Sequence, residues 1–203
     1  MSSPPSLPAR LRGLLSLDDF EEAARRHLPR PVFAYLSGGV EDNVSRADNR
    51  AVFGEWQFVP RVLQGVARRT AATTLFGHEY SAPFGIAPIG IAALYAYRGD
   101  LVLAKAAREA NIPFAMSGSS LIRLEDVAQA APDSWFQAYL TGDEARFVPL
   151  VERIAAAGFG TLFVTVDTAV SGLRERDVRN GLRRITGPSP ARPRPRRRGA
   201  VPR

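Results

Sequence analysis

The chain of 203 residues has no cysteine, so neither a disulfide framework nor a thiolate metal site can be built from it. Its two histidines, His27 and His78, lie far apart with no partner beside them in sequence; both read as structural, and no metal centre is expected. No segment approaches the roughly 20 consecutive apolar residues of a membrane span. The opening MSSPPSLPARLRG lacks the apolar core of a secretory signal. Together these absences predict a soluble, cytoplasmic protein. The chain is also short for a closed eight-stranded α/β barrel, which takes about 250 residues.

What the chain has in excess is arginine at one end. The eight arginines from Arg183 to Arg203, with no acidic residue among them, exceed the whole net charge of +7 and leave residues 1–182 near neutrality. Proline is too dense there for a helix, so residues 183–203 read as a disordered, extended tail. Residues 1–16 are likewise expected to lack order, which leaves 17–182 as the folded part.

Within that part, Leu17 to Leu28 reads as an amphipathic helix with Asp18, Asp19, Glu21 and Glu22 in its early turns, where they complement the helix dipole. Pro29 ends it. Pro31 can open a second helical segment that Gly38 and Gly39 close, and a polar helix follows from Glu41 to Phe53. Trp56–Pro60 and Ala72–Phe76 are expected as short strands outside any repeat. From Phe84 the pattern becomes regular. The runs FGIAP, PFAMS, WFQAYL and TLFVTVD alternate with helices predicted over 100–110, 124–131 and 143–157. Short apolar strands between amphipathic helices predict an α/β fold with a parallel sheet buried on both faces.

Polar side chains gather just after each of these strands, where α/β proteins carry their chemistry. Gln137 and Tyr139 share a strand face by their spacing of two. A buried amide needs partners, and either a planar heterocycle or an edge-strand setting would supply them. Ser117 and Thr165 are hydroxyls at strand ends, able to donate to a ring carbonyl or to cap a helix. Arg174 can clamp a carboxylate bidentately or belong to a solvated run with Glu175, Arg176, Asp177 and Arg179. Tyr35, beside Gly38 and Gly39, is a core aromatic with a polar tip.

Taken in order, YLSGGVEDN from Tyr35, DNRAVF from Asp48, FVPRVL from Phe58, APFGIAPIG from Ala82, MSGSS from Met116, WFQAYL from Trp135 and VTVDTAVSGLRERD from Val164 resemble the FMN-dependent 2-hydroxy-acid dehydrogenases and oxidases. This is the family of glycolate oxidase, L-lactate dehydrogenase and (S)-mandelate dehydrogenase. The resemblance covers about residues 17–182. It implies the N-terminal half of a TIM (β/α)8 barrel, about four βα units preceded by a small helical segment. It further implies that Pro88, Ile89 and Gly90 face FMN, that Ser117, Gln137 and Thr165 bond its ring, and that Tyr35, Tyr139 and Arg174 hold a small 2-hydroxy acid. The implied activity is oxidation of that acid to the 2-oxo acid.

The family's catalytic histidine, its lysine near the flavin and its phosphate-binding motifs belong to the second half of the barrel, and no His, Lys or Asp follows Gly181. The leading expectation is therefore a truncated or frameshifted member, inactive alone, with doubtful hold on FMN. A separately encoded second half, or a homo-oligomer, is the alternative partner. A third reading assigns the basic tail to anionic lipid at the inner membrane face or to nucleic acid. Specific nucleic-acid binding is not expected, because no aromatics interleave with the arginines.

Overall fold

Ser16 opens the first helix through a reciprocal cap. Its backbone N–H, and that of Leu15, donate to the Asp19 carboxylate at 2.8 and 2.7 Å, bonds that hold the Asp19 pKa below its ordinary value. The structure, a computed structural model, describes residues 8–168, 170 and 172–182. The tail expected over 183–203 lies outside the described residues. A 3-10 turn at Ala9–Leu11 falls within the stretch expected to lack order. The chain divides into two units, one of Met1–Glu55 with Gly172–Arg203 and the other of Trp56–Ser171.

The first unit is helical. Helix α1 (Leu17–His27) ends before Pro29, and α2 (Arg30–Ser37) carries Pro31 in its first turn and stops at Gly38. A Cβ on Gly38 would stand 2.8 Å from the Ala34 carbonyl oxygen, so the corner closes only around glycine. The polar helix α3 (Val44–Ala51) is shorter than the predicted 41–53. Glu41 and Asn43 take left-handed backbone conformations, which cannot continue a right-handed helix, and Val52–Glu55 tightens into a 3-10 turn. Helix α7 (Glu175–Arg179) completes the unit.

The second unit begins with an irregular segment where Trp56–Pro60 was expected as a strand. A hairpin follows, β1 (Thr73–Leu75) and β2 (His78–Tyr80). Phe76 and Gly77 both have positive φ at the turn, as a tight two-residue hairpin turn requires. The parallel sheet runs in the order β3 (Ala115–Ser117), β4 (Trp135–Ala138), β5 (Thr161–Val164). Helices α4 (Gly99–Ala110), α5 (Leu124–Ala130) and α6 (Glu144–Ala156) alternate with the strands. FGIAP is not the fourth strand expected. It contributes a single parallel bridge, Ile86 to Phe114, because the next ladder bonds in this register would need the N–H groups of Pro88 and Pro113, which proline lacks.

The helix-facing side of the sheet buries Phe114, Met116, Phe136 and Ala138 against Leu101, Ala104, Val127 and Ile154. On the opposite side Trp135 meets Phe76, Tyr80 and Phe163 with ring centroids 5.4 to 6.0 Å apart. Burial there raises the Tyr80 pKa above its ordinary value. The expectation of burial on both faces fails at β5, where Phe163 and Val164 are exposed, because β5 is an edge of the described sheet. His78 has a partner that sequence proximity did not show: its Nε2 lies 3.6 Å from Asp133 Oδ2. Among the described residues no helix is long and apolar enough to cross a membrane.

Candidate functional site

Three parallel strand ends converge on one amide. The register sets Ser117 opposite Gln137 and Gln137 opposite Phe163, so Thr165, two residues past Phe163, returns to the Gln137 face. Gln137 is buried. Its Oε1 accepts from the Ser117 hydroxyl and from the Gly118 N–H, each at 3.3 Å, and its Nε2 donates to Thr165 Oγ1 at 2.7 Å. Since a backbone N–H can only donate, Gly118 fixes which end of the amide is oxygen. The chain of bonds then leaves one Gln137 N–H and the Thr165 hydroxyl proton for further acceptors. Ser117 Oγ in turn accepts from the Ser119 N–H at 3.1 Å.

The loop Pro88–Gly90 lies alongside. Ile91 N–H donates to the Ser119 carbonyl at 3.0 Å, and a Cβ on Gly90 would stand 3.4 Å from Ser119 Cβ. Beneath these groups, on the sheet side away from the helices, is a cavity of about 470 Å³ whose lining includes Ala87, Pro88, Ala115, Gln137 and Thr165. That volume is within the roughly 300–1,000 Å³ of small-molecule sites. Tyr139 falls just past the end of β4 and is exposed.

A second cluster is built in the helical unit. Arg174 donates through Nε to Asp177 Oδ2 at 2.6 Å and through Nη2 to the Tyr35 carbonyl at 2.7 Å, and its Cζ sits 4.6 Å from the Tyr35 ring centroid. Arg176 reaches Ser37, donating to its carbonyl at 3.4 Å and its hydroxyl at 3.2 Å. The structure thus joins Ser117, Gln137 and Thr165, sets Pro88–Gly90 beside them, and separately joins Tyr35 to Arg174. Sequence reasoning missed the Gly118 N–H and Asp177. The first is a backbone group with no side-chain signature, while the second was legible only as one charge in a run.

A family model described as FMN-dependent dehydrogenase matches residues 24–196. The chain belongs to the FMN-dependent dehydrogenase family. An L-lactate dehydrogenase from Caulobacter sp. (strain K31) is 40% identical over 177 residues, 87% of this chain and 46% of that protein. The (S)-mandelate dehydrogenase of Pseudomonas putida is 38% identical over 170 residues, 83% of this chain and 43% of that protein. A crystal structure of mandelate oxidase superposes with a TM-score of 0.78 at 36% identity, covering 82% of this chain and 48% of that one. The chain spans about half the length of these relatives. The name of that family speaks of FMN, and the donors at Gln137 and Thr165 suit a planar ring bearing carbonyl acceptors.

Proposed function

We propose that this chain forms the first half of a TIM barrel that oxidises a small L-2-hydroxy acid to the 2-oxo acid with FMN. The observation that carries the reading is the single run of hydrogen bonds Ser117–Gln137–Thr165 across the carboxyl ends of three adjacent parallel strands. Such ends are where barrel enzymes assemble their sites. When bound, FMN supplies the two-electron acceptor. Gln137, locked by the Gly118 N–H, would present its remaining N–H, and Thr165 its hydroxyl proton, to carbonyl oxygens of the ring. Ser117 keeps the amide from rotating. The backbone of Pro88, Ile89 and Gly90 would lie against the ring.

Arg174 and Tyr35, with Tyr139, would hold the acid. Two guanidinium nitrogens of Arg174 are committed to Asp177 and to the Tyr35 carbonyl, so Nη1 is the nitrogen for a carboxylate. Turnover requires the proton acceptor and phosphate anchor contributed by the other half of the barrel. Titrating the chain with FMN and with riboflavin, which lacks the phosphate, tests the ring contacts directly. Saturable quenching of flavin fluorescence is expected with both, weakened about tenfold in Gln137→Ala, as loss of about 1.4 kcal/mol implies. Equal affinity in the variant would refute the assignment of Gln137 to the ring.

A further inference from the structure

Between Glu55 and β1 the chain forms no helix or strand, yet it carries a dense apolar series. Trp56 is 79% exposed, Phe58 101%, Val59 86%, Val62 83% and Leu63 100%. Single apolar side chains are ordinary on a protein surface, but a contiguous series of this kind marks a contact. Leu63 also holds a left-handed backbone with φ of 56°, unfavourable for a bulky L-residue, while its side chain makes no burial that would offset it. Only Arg61 brings charge into the run 56–66, so a complementary surface must be mostly apolar.

We propose that Trp56–Val66 is a docking strap for the second α/β half that the relatives carry outside the matched part. The strap lies within the family match over residues 24–196, and the aligned mandelate oxidase has about half its chain beyond what this one covers. A partner of that size is also what the exposed Phe163 and Val164 of the edge strand β5 call for. The strap adds a second, separate surface to the same partner. The proposal rests on the half-barrel reading, and the following experiment separates the two.

The chain is co-expressed with the part of Pseudomonas putida (S)-mandelate dehydrogenase that lies outside the match, and a stoichiometric complex is isolated. Amide hydrogen exchange over residues 56–66 is expected to slow at least tenfold in the complex. Phe58→Glu and Leu63→Glu are each expected to weaken association at least tenfold. Because both side chains are fully exposed, the circular dichroism and urea midpoint of the free chain should not move, which separates lost docking from lost folding. A complex in which 56–66 exchanges as before, and which both variants form normally, overturns the strap while leaving the half-barrel reading intact. Failure to form any complex overturns both. Strap-dependent self-association, or strap-dependent binding to phosphatidylserine vesicles without an effect on the complex, assigns the surface to another occupant and overturns the proposal as well.

Discussion

Replacing Gln137 by leucine asks whether the amide, rather than the bulk of the side chain, ties the three strand ends together. Leucine is of similar size but removes the acceptor used by Ser117 and Gly118 and the donor used by Thr165. The three losses are unequal. Ser117 is 3% exposed, so its hydroxyl has no water to turn to, and a stranded buried donor costs about 1–3 kcal/mol. Gly118 and Thr165 retain access to solvent, and each bond lost there costs about 0.5–1.5 kcal/mol. Added apolar burial offsets about 1 kcal/mol, which leaves a net loss of roughly 3 kcal/mol.

Urea unfolding followed by tryptophan fluorescence reads this directly, since the Trp135 ring packs on Phe163 with centroids 5.4 Å apart on the strand next to Thr165. With a urea slope of about 2 kcal/mol/M, the midpoint should fall by about 1.5 M. Thr165→Val, which takes the acceptor from the Nε2 of the buried Gln137 but leaves its other bonds, should lower it by about 1 M on the same slope. If the two variants shift the midpoint equally, or if Gln137→Leu leaves it unchanged, the amide is not the tie between the strands and the reasoning fails.

Two other expectations concern the scaffold. A Cβ on Gly85 would stand 2.5 Å from the Pro113 carbonyl oxygen, so Gly85→Ala must push the 84–88 segment off β3. A loss of about 1–3 kcal/mol is expected by urea titration, with faster exchange at the Ile86 N–H that bonds Pro113 at 2.8 Å; unchanged exchange there would contradict the packing. Glu125 is held at a pKa of about 2, below its ordinary 4.5, chiefly by its hydrogen bond from Arg153. A depressed carboxyl pKa contributes stability above the unfolded value that is lost as pH falls through the folded one. The gap in urea midpoint between the wild type and Glu125→Gln should therefore be full above about pH 4.5 and close toward pH 2. A gap that widens on acidification would reverse the sign of this linkage.

Most helices of both units were legible because Pro29, Gly38 and the periodic apolar positions mark their limits on the chain itself, whereas α7 lies in the charged run from Glu175 to Arg179 and shows no apolar period. The strands were legible where an apolar run could also extend a ladder, and FGIAP failed on that second condition: Pro88 and its neighbour Pro113 have no N–H to give. The hairpin partner His78–Tyr80 escaped notice because three residues are too few to show an alternation. Trp56–Pro60 has the composition of a strand but no pairing partner in the described fold. At the site, strand-end positions pointed to Ser117, Gln137 and Thr165 individually. Their union depended on register, which joins residues 20 and 28 apart and is set by how the strands align rather than by local pattern. The stacking of Arg174 on Tyr35 spans 139 residues, beyond the reach of any local signal.

That last separation bears on how the molecule assembles as it is made. The helical unit is written in two pieces, with the whole βα unit lying between them in the chain. On a ribosome that adds roughly 5–20 residues per second, α1 to α3 emerge early but wait several seconds for Arg174 and Arg176 to arrive and fasten the corner at Tyr35, Ser37 and Gly38. The sheet, by contrast, draws all its strands from one uninterrupted stretch. The order of synthesis therefore favours the Ser117–Gln137–Thr165 run first and the Tyr35–Arg174 cluster last.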